Sequence, residues 1–309
     1  MTHYNFDKDL QLYAHFHAPI NHFMLALTQR PMRLLYNLQR SDKFVKVTKK
    51  TVESIRVLIY EPIKVVCNSR ASACLLFFHG GGFVFNAAPH HFSLARRLVK
   101  ELGFKCVFVD YRLAPKYKFP CAVDDCFEVY KWALNNAEKL GINGKKIVVS
   151  GDSAGGNLAA VCCLKARDCD LELPLAQMLL YPVLDYKMQS QSYKLYQTTP
   201  MCNSKDMAKY YKFYRGKNVV SPEKRAYLSP IEANNLKGLP TTYLEVAQYD
   251  CLHDEGVTYA KLLEHSGVEV ELHEVSGAMH GYDLAKDTAF MQKIMTQRIS
   301  FLKGILIQS

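Results

Sequence analysis

The sequence predicts an α/β fold, a mostly parallel sheet with helices on both faces. Three observations carry that expectation. From residue 73 onward, short apolar runs alternate with longer segments of helical period, as βαβ units require. The runs Leu75-Leu76-Phe77-Phe78 and Ile147-Val148-Val149 are continuously hydrophobic, as suits strands covered on both sides. A chain of 309 residues with 49% hydrophobic and 22% charged side chains can bury a large core, which excludes disordered and collagen-like classes.

In chain order, Phe6, Leu10, Tyr13, Phe16 and His17 fall near one helical face over 6–17, and Pro19 interrupts. A second amphipathic stretch runs through Ile20, Phe23, Met24 and Leu27 and is expected to stop at Pro31. The Val- and Ile-rich segments 44–48 and 54–60 read as a strand pair, with Lys49–Thr51 as the hairpin turn. Further strands are expected at 73–78, 105–110, 146–150, 176–181, 242–247 and 268–274, and helices at about 90–102, 121–139, 154–167, 254–266 and 285–303. The rhythm breaks between 185 and 239, where a polar, Tyr- and Lys-rich insert carries the helical stripe Met207, Tyr210, Tyr211 and Tyr214. Inserts of that length are lids or binding loops, and the stripe packs such an insert onto the body.

The net charge is +10, and cations gather at Arg30, Arg33, Arg40, Lys43, Lys46, Lys49 and Lys50 against Asp42 alone. No nucleic-acid module or interleaved aromatics accompany them, so a nucleic-acid partner is not expected. The bland reading is a solvated basic face; the sharper one is an anionic partner, either an acidic polymer or, through weak peripheral contact, a membrane surface. No apolar run approaches the roughly 20 residues of a membrane span, and MTHYNFDKDL lacks a basic region followed by an apolar one. The ten Cys are scattered, and Cys121 and Cys126 have no further ligands at zinc spacing, so neither a disulfide framework nor a metal site is expected. A reduced, cytoplasmic setting fits that cysteine usage.

Chemistry concentrates in a few places. Gly151-Asp152-Ser153-Ala154-Gly155 is a G-x-S-x-G match between an expected strand and an expected helix, where a tight turn lifts the Ser hydroxyl above the sheet edge. His79-Gly80-Gly81-Gly82-Phe83 follows the 73–78 strand, and its glycines let backbone N–H groups turn inward toward a developing oxyanion. A nucleophilic Ser needs a base, and the base an orienting acid, in the chain order Ser, Asp, His. Asp250 follows the 242–247 strand and His280 lies beyond the 268–274 strand, both at the sheet's carboxyl edge. The rivals are placed worse. Asp254 and Glu255 open a helix, where acids suit the macrodipole; His253 and His265 read as surface residues; His273 sits inside a strand. His90 and His91 begin a helix with no strand end to aim them, and His79 reads as a structural hydrogen-bonding residue.

The motifs HGGGF (79–83), YRLAP (111–115), FP (119–120), GDSAGG (151–156), YP (181–182), YDCLHDEG (249–256) and HGY (280–282) stand in an order that resembles the hormone-sensitive-lipase-like, acetyl-esterase-like branch of the α/β-hydrolase carboxylesterases. The resemblance runs from about residue 50 to the last residue. It implies an eight-stranded α/β-hydrolase sheet over 44–309, capped by helices from 1–43 and an insertion at about 186–225, with no cofactor. It also implies Ser153 as nucleophile, His280 as general acid/base, Asp250 as orienting acid, and the N–H groups of Gly81, Gly82 and Ala154 as oxyanion donors. Phe83, Asp152, Tyr181, Tyr211 and Tyr214 are the expected pocket residues. Asn86 stands where the family often has Gly, and Cys251 and His253 replace the usual Pro and Arg. The implied activity is hydrolysis of small-molecule esters with acyl groups from acetyl to about hexanoyl, through an acyl-enzyme. A non-catalytic receptor on the same scaffold and a serine hydrolase acting on amides are the other readings; receptors of this kind lack the His that stands here at 280. An edge-strand homodimer suits the architecture.

Overall fold

The computed structural model describes residues 4–17, 21–63, 72–217 and 219–308. One sheet of eight strands forms its centre: β1 (Val45–Val52), β2 (Ile55–Pro62), β3 (Ser72–Phe78), β4 (Lys105–Asp110), β5 (Ile142–Asp152), β6 (Ala176–Leu180), β7 (Thr241–Tyr249) and β8 (Val270–Met279), in the order β1-β2-β4-β3-β5-β6-β7-β8. The β1–β2 and β2–β4 pairs are antiparallel and the other five parallel, as the continuous apolar runs require. Among the described residues ten α-helices accompany the strands: α1 (His22–Leu38), α2 (Pro89–Leu102), α3 (Cys121–Asn135), α4 (Ala137–Leu140), α5 (Ala154–Asp168), α6 (Gln191–Leu195), α7 (Ser204–Arg215), α8 (Arg225–Leu228), α9 (His253–His265) and α10 (Ala289–Gln308).

Alternation along β3 divides the core into two layers. Cys74, Leu76 and Phe78 face the layer that α3, α5 and α9 cover, while Leu75 and Phe77 face the layer under α2 and α10. The chain leaves β3 toward β4 on one side and returns to β5 on the other, so the strand order reverses between β3 and β5. Such a switch point opens a crevice at the carboxyl ends of the strands. Phe78 and Gly151 are partners in the register there, which sets the Gly-rich loop after β3 beside the turn after β5.

Several element boundaries differ from the sequence reading. The 6–17 stretch forms a 3-10 helix over Lys8–Tyr13, begun by Asp7, whose carboxylate accepts from the Asp9 N–H at 2.9 Å. Pro19 and Ile20, like Cys67, lie outside the described residues. Helix α1 does not stop at Pro31 but runs on to Leu38. The carbonyl freed four residues back belongs to exposed Leu27, where water can satisfy it. The hairpin turns at Glu53-Ser54 instead of Lys49–Thr51, because β1 pairs through Val52 with Ile55 and Glu53 takes a φ of +52°. Asn136 divides the expected 121–139 helix into α3 and α4. Strands β7 and β8 run longer than expected; a register shift between Ala247 and Tyr249 lets both extend to the sheet's carboxyl edge. Helix α10 starts at Ala289, after a 3-10 turn over Tyr282–Ala285.

Met207, Tyr210, Tyr211 and Tyr214 of α7 are all buried, so the insert packs as its stripe predicts. It also meets the N-terminal segment, since the Met201 N–H donates to the Phe16 carbonyl at 2.7 Å.

Candidate active site

Strand β5 ends at Asp152 and α5 begins at Ala154, leaving Ser153 on the turn with φ +53° and ψ −117°. This left-handed geometry is costly for a side-chain-bearing residue and lifts the hydroxyl off the sheet. The turn closes only because its neighbours are small: a Cβ on Gly155 would lie 1.9 Å from the Phe78 carbonyl oxygen. Asp250 directly follows β7 and His280 directly follows β8. The His280 Nδ1 donates to Asp250 Oδ2 at 2.7 Å, and its Nε2 accepts from Ser153 Oγ at 2.8 Å. The second oxygen of Asp250 accepts the Leu252 N–H at 3.0 Å, which fixes the carboxylate's orientation. All three residues are buried. Burial disfavours a charged imidazole, but the Asp250 carboxylate outweighs it and raises the His280 pKa to about 9.

Beside Ser153 lies the Gly-rich loop. Among the described residues, the N–H groups of Gly81, Gly82 and Ala154 have no internal acceptor. Gly82 has a φ of +59°, and a Cβ there would meet the Tyr210 ring at 2.5 Å. His79 is buried, stacks on Tyr111 with ring centroids 4.4 Å apart, and bonds through Nδ1 to the Gly80 carbonyl at 2.7 Å. Burial lowers its pKa to about 3, so the ring is neutral.

Asp152 ties the loop to the nucleophile turn. Its Oδ1 accepts the Gly80 N–H at 2.9 Å and its Oδ2 bonds His91 Nε2 at 3.0 Å. The Ala88 N–H donates to His91 Nδ1 at 2.8 Å, so the ring proton sits on Nε2 and points at the carboxylate. Burial opposes ionisation of Asp152, but His91 and the Gly80 N–H hold its pKa well below the ordinary carboxylate range. Sequence reasoning places His91 only at a helix start, and its role is missed because it lies 61 positions from Asp152. His90, His91 and Asp152 bring potential ligand atoms within 4.8 Å of one another. A cation there would have to displace the His91 proton while Nδ1 already accepts from Ala88, so the trio fits a hydrogen-bond relay better than a metal.

A cavity of about 330 Å³ opens onto Ser153 and His280. Its walls are mostly apolar: Phe16, Met32, Phe85, Met201, Tyr210 and Leu284 contribute, and Asp152 and Tyr181 border it. Phe83, Tyr211 and Tyr214, expected in the pocket, do not line it. Phe83 and Tyr214 stack face to face with centroids 3.8 Å apart, and Tyr211 is buried in the core; Tyr210, from the same stripe, is the residue that turns inward. The rival residues are occupied elsewhere. His253 bonds Asp254 and Glu274, His265 the Lys261 carbonyl and His273 Glu271. Glu255 is not the surface dipole acid its helix position predicts, because it is buried and accepts the Leu184 N–H at 2.6 Å.

Behind His280 a second polar cluster is sealed in the interior. Arg298 donates to Glu245 at 2.6 and 2.9 Å and to Asp283 at 2.6 and 3.1 Å. Tyr243 and Tyr282 donate to Glu245, and Tyr181 donates to Asp283 at 2.6 Å while its ring meets His280 edge-on at 5.1 Å.

A strained Ser on a strand-to-helix turn, an ordered Ser-His-Asp relay and inward-facing amides on this sheet define an α/β-hydrolase. Residues 75–284 match the family model of the α/β-hydrolase fold. The chain belongs to this family, in its hormone-sensitive-lipase-like carboxylesterase branch. It is similar to Lipase 2 of Moraxella sp. (strain TA144), 34% identical over 69% of this chain and 55% of the lipase. Esterase LipI of Mycobacterium tuberculosis is 35% identical over 70% of this chain and 68% of its own. The chain thus spans little more than half the length of the first relative and about two thirds of the second. Among solved structures, a bacterial heroin esterase superposes with a TM-score of 0.87 at 30% identity, covering 98% of each chain. A thermostable Pseudomonas putida esterase gives 0.82 at 29%, over 91% of this chain and 90% of that one. Among the described residues, no helix is long and apolar enough to cross a membrane.

Proposed function

We propose that this protein is a serine carboxylesterase that hydrolyses small esters through an acyl-enzyme. The observation that carries the reading is the relay from Ser153 Oγ to His280 at 2.8 Å and on to Asp250 at 2.7 Å, facing a cavity beside three free N–H groups. Ser153 attacks the acyl carbon as Nε2 of His280 takes its proton. Asp250 steadies the imidazolium, and the oxyanion rests against Gly81, Gly82 and Ala154, each worth about 3 kcal/mol in the transition state. His280 then protonates the departing alcohol, and water repeats the cycle to free the acid. This chemistry uses the chain's own groups and needs no cofactor.

A cavity of about 330 Å³ with apolar walls suits an acyl group between acetyl and hexanoyl on a small alcohol. Residues 1–43 and the insert at about 186–225 act as the cap, with Phe16, Thr28 and Met32 from the first and Met201, Cys202 and Tyr210 from the second lining one cavity. Names such as ethyl acetate hydrolase among the relatives support the substrate class. The test is turnover of p-nitrophenyl acetate, butyrate and hexanoate, with fluorophosphonate labelling, by the wild type and Ser153→Ala. Loss of both turnover and labelling in the variant is expected; retention of either overturns the reading.

A further inference from the structure

Helix α1 is apolar on two opposite sides, and among the described residues only one has a partner within the chain. Leu25 and Tyr36 are buried against the body, while Thr28 and Met32 border the catalytic cavity. On the outer side Phe23, Leu27, Leu34 and Leu38 are 75, 57, 58 and 61% exposed. At 100° per residue these four positions fall within an arc of about 60°, so they form one stripe and not a scatter. Single exposed leucines need no explanation, but an aligned row along a 17-residue helix does.

Charge identifies what covers it. From residue 10 to residue 50 the chain carries seven Lys or Arg and a single acid, Asp42. That acid is already paired with Arg96 at 2.5 Å. Arg33 is exposed on α1, Arg40 follows its last turn, and Lys49 reaches the Asn37 carbonyl at that end of the helix. Glu61 meets Lys46 at 3.4 Å and Asp110 lies in the field of Arg33, so the counter-charge is partial and the apolar stripe is flanked by an excess of cations. A second copy is a poor occupant, because it would set the same cations against each other on a chain of net charge +10. An acidic lipid surface supplies both the apolar layer and the opposite charge. We propose that the outer face of α1 docks this protein on an anionic bilayer, with the helix axis in the interface plane and the Arg and Lys side chains at headgroup level. Since Thr28 and Met32 of the same helix border the catalytic cavity, docking would bring its rim to the lipid surface. That corollary, a supply of membrane-dissolved esters, rests on the carboxylesterase reading; docking itself does not.

The test is flotation of the full chain with lipid vesicles, without any ester, so that it fails or succeeds independently of the esterase proposal. Wild type should float with phosphatidylcholine vesicles containing about one quarter phosphatidylserine at about 0.05 M salt. Pure phosphatidylcholine, or about 0.5 M salt, should each cut the bound fraction about tenfold. Leu27→Ser/Leu34→Ser/Leu38→Ser should lose about tenfold while keeping p-nitrophenyl acetate turnover in vesicle-free buffer. Lys43→Glu/Lys46→Glu, which spares the Lys49 bond to the Asn37 carbonyl of α1, should lose as much. Wild type that fails to float, or either variant floating as wild type does, overturns the proposal. So does a wild-type dimer in sedimentation velocity that the leucine variant converts to monomer, because the stripe would then be a self-interface.

Discussion

Two clusters of buried charge meet at Tyr181, and they are built for opposite purposes. In the Ser153-His280-Asp250 relay Ser153 and His280 border the cavity, the Ser153 hydroxyl keeps an acceptor position open toward it, and a single proton has somewhere to go. In the Arg298-Glu245-Asp283 cluster every carboxylate oxygen already has a donor from Arg298 or a tyrosine. Its one cation and two anions sum to −1 in the interior, and Arg298 is fully buried. Burial opposes ionisation of Asp283, yet Arg298 holds its pKa below the ordinary value. The difference teaches that burial alone does not mark reactivity. An unspent hydrogen-bonding position facing a cavity marks the first cluster; complete satisfaction makes the second a brace beneath the His280 loop.

The contrast can be broken from either side. Ser153→Ala should lower kcat by about 10⁵-fold with an unchanged melting temperature, measured on p-nitrophenyl butyrate with calorimetry alongside. Asp250→Asn should cost about 10⁴-fold in kcat. It should also move the acid limb of kcat/KM. The base form of His280 is neutral, so activity rises with pH through the His280 pKa. Asp250 holds that pKa up at about 9, so its removal shifts the limb to lower pH; a limb that stays put refutes the assignment. Arg298→Met should do the reverse of Ser153→Ala. It leaves two carboxylates unpaired in the core and should cost about 3–5 kcal/mol of stability by urea unfolding, with residual activity in the folded fraction.

The smallest effect sharpens the comparison at Asp152. In Asp152→Asn the single amide oxygen can keep only one of the two donors, so an amide N–H would face either the His91 Nε2–H or the Gly80 N–H, donor against donor, and the anchor of the loop would loosen. A fall in kcat of about 10–100-fold with little change in KM is expected, since the loop matters for the oxyanion and not for ground-state binding. A change in KM alone would make Asp152 a pocket wall instead of a positioning residue.

The parts of this molecule legible in the sequence were those with a local signature. Buried strands announced themselves through runs such as Leu75-Leu76-Phe77-Phe78, and the turn at Ser153 through its small neighbours. Asp250 and His280 could be placed by chain order because strand ends aim side chains at one edge. What stayed hidden depended on distant partners. His91 opens a helix like any polar residue, and only the fold brings Asp152 to its Nε2. Helical period put Tyr210, Tyr211 and Tyr214 on one stripe but could not say that Tyr210 alone would turn into the cavity. Pro31 looked like a stop because the sequence does not reveal that its orphaned carbonyl faces water. Glu255 looked like a dipole acid because burial at the start of α9 is a tertiary fact.

The near-contact between Gly82 and the Tyr210 ring has an evolutionary corollary. The insert proposed as the cap rests directly on the Gly82 amide proposed as an oxyanion donor, with no cushioning side chain between them. On the proposed reading selectivity and speed would be inherited as a pair: a transplanted insert from a relative would carry its preference into this scaffold only if it presented a flat ring at that same spot.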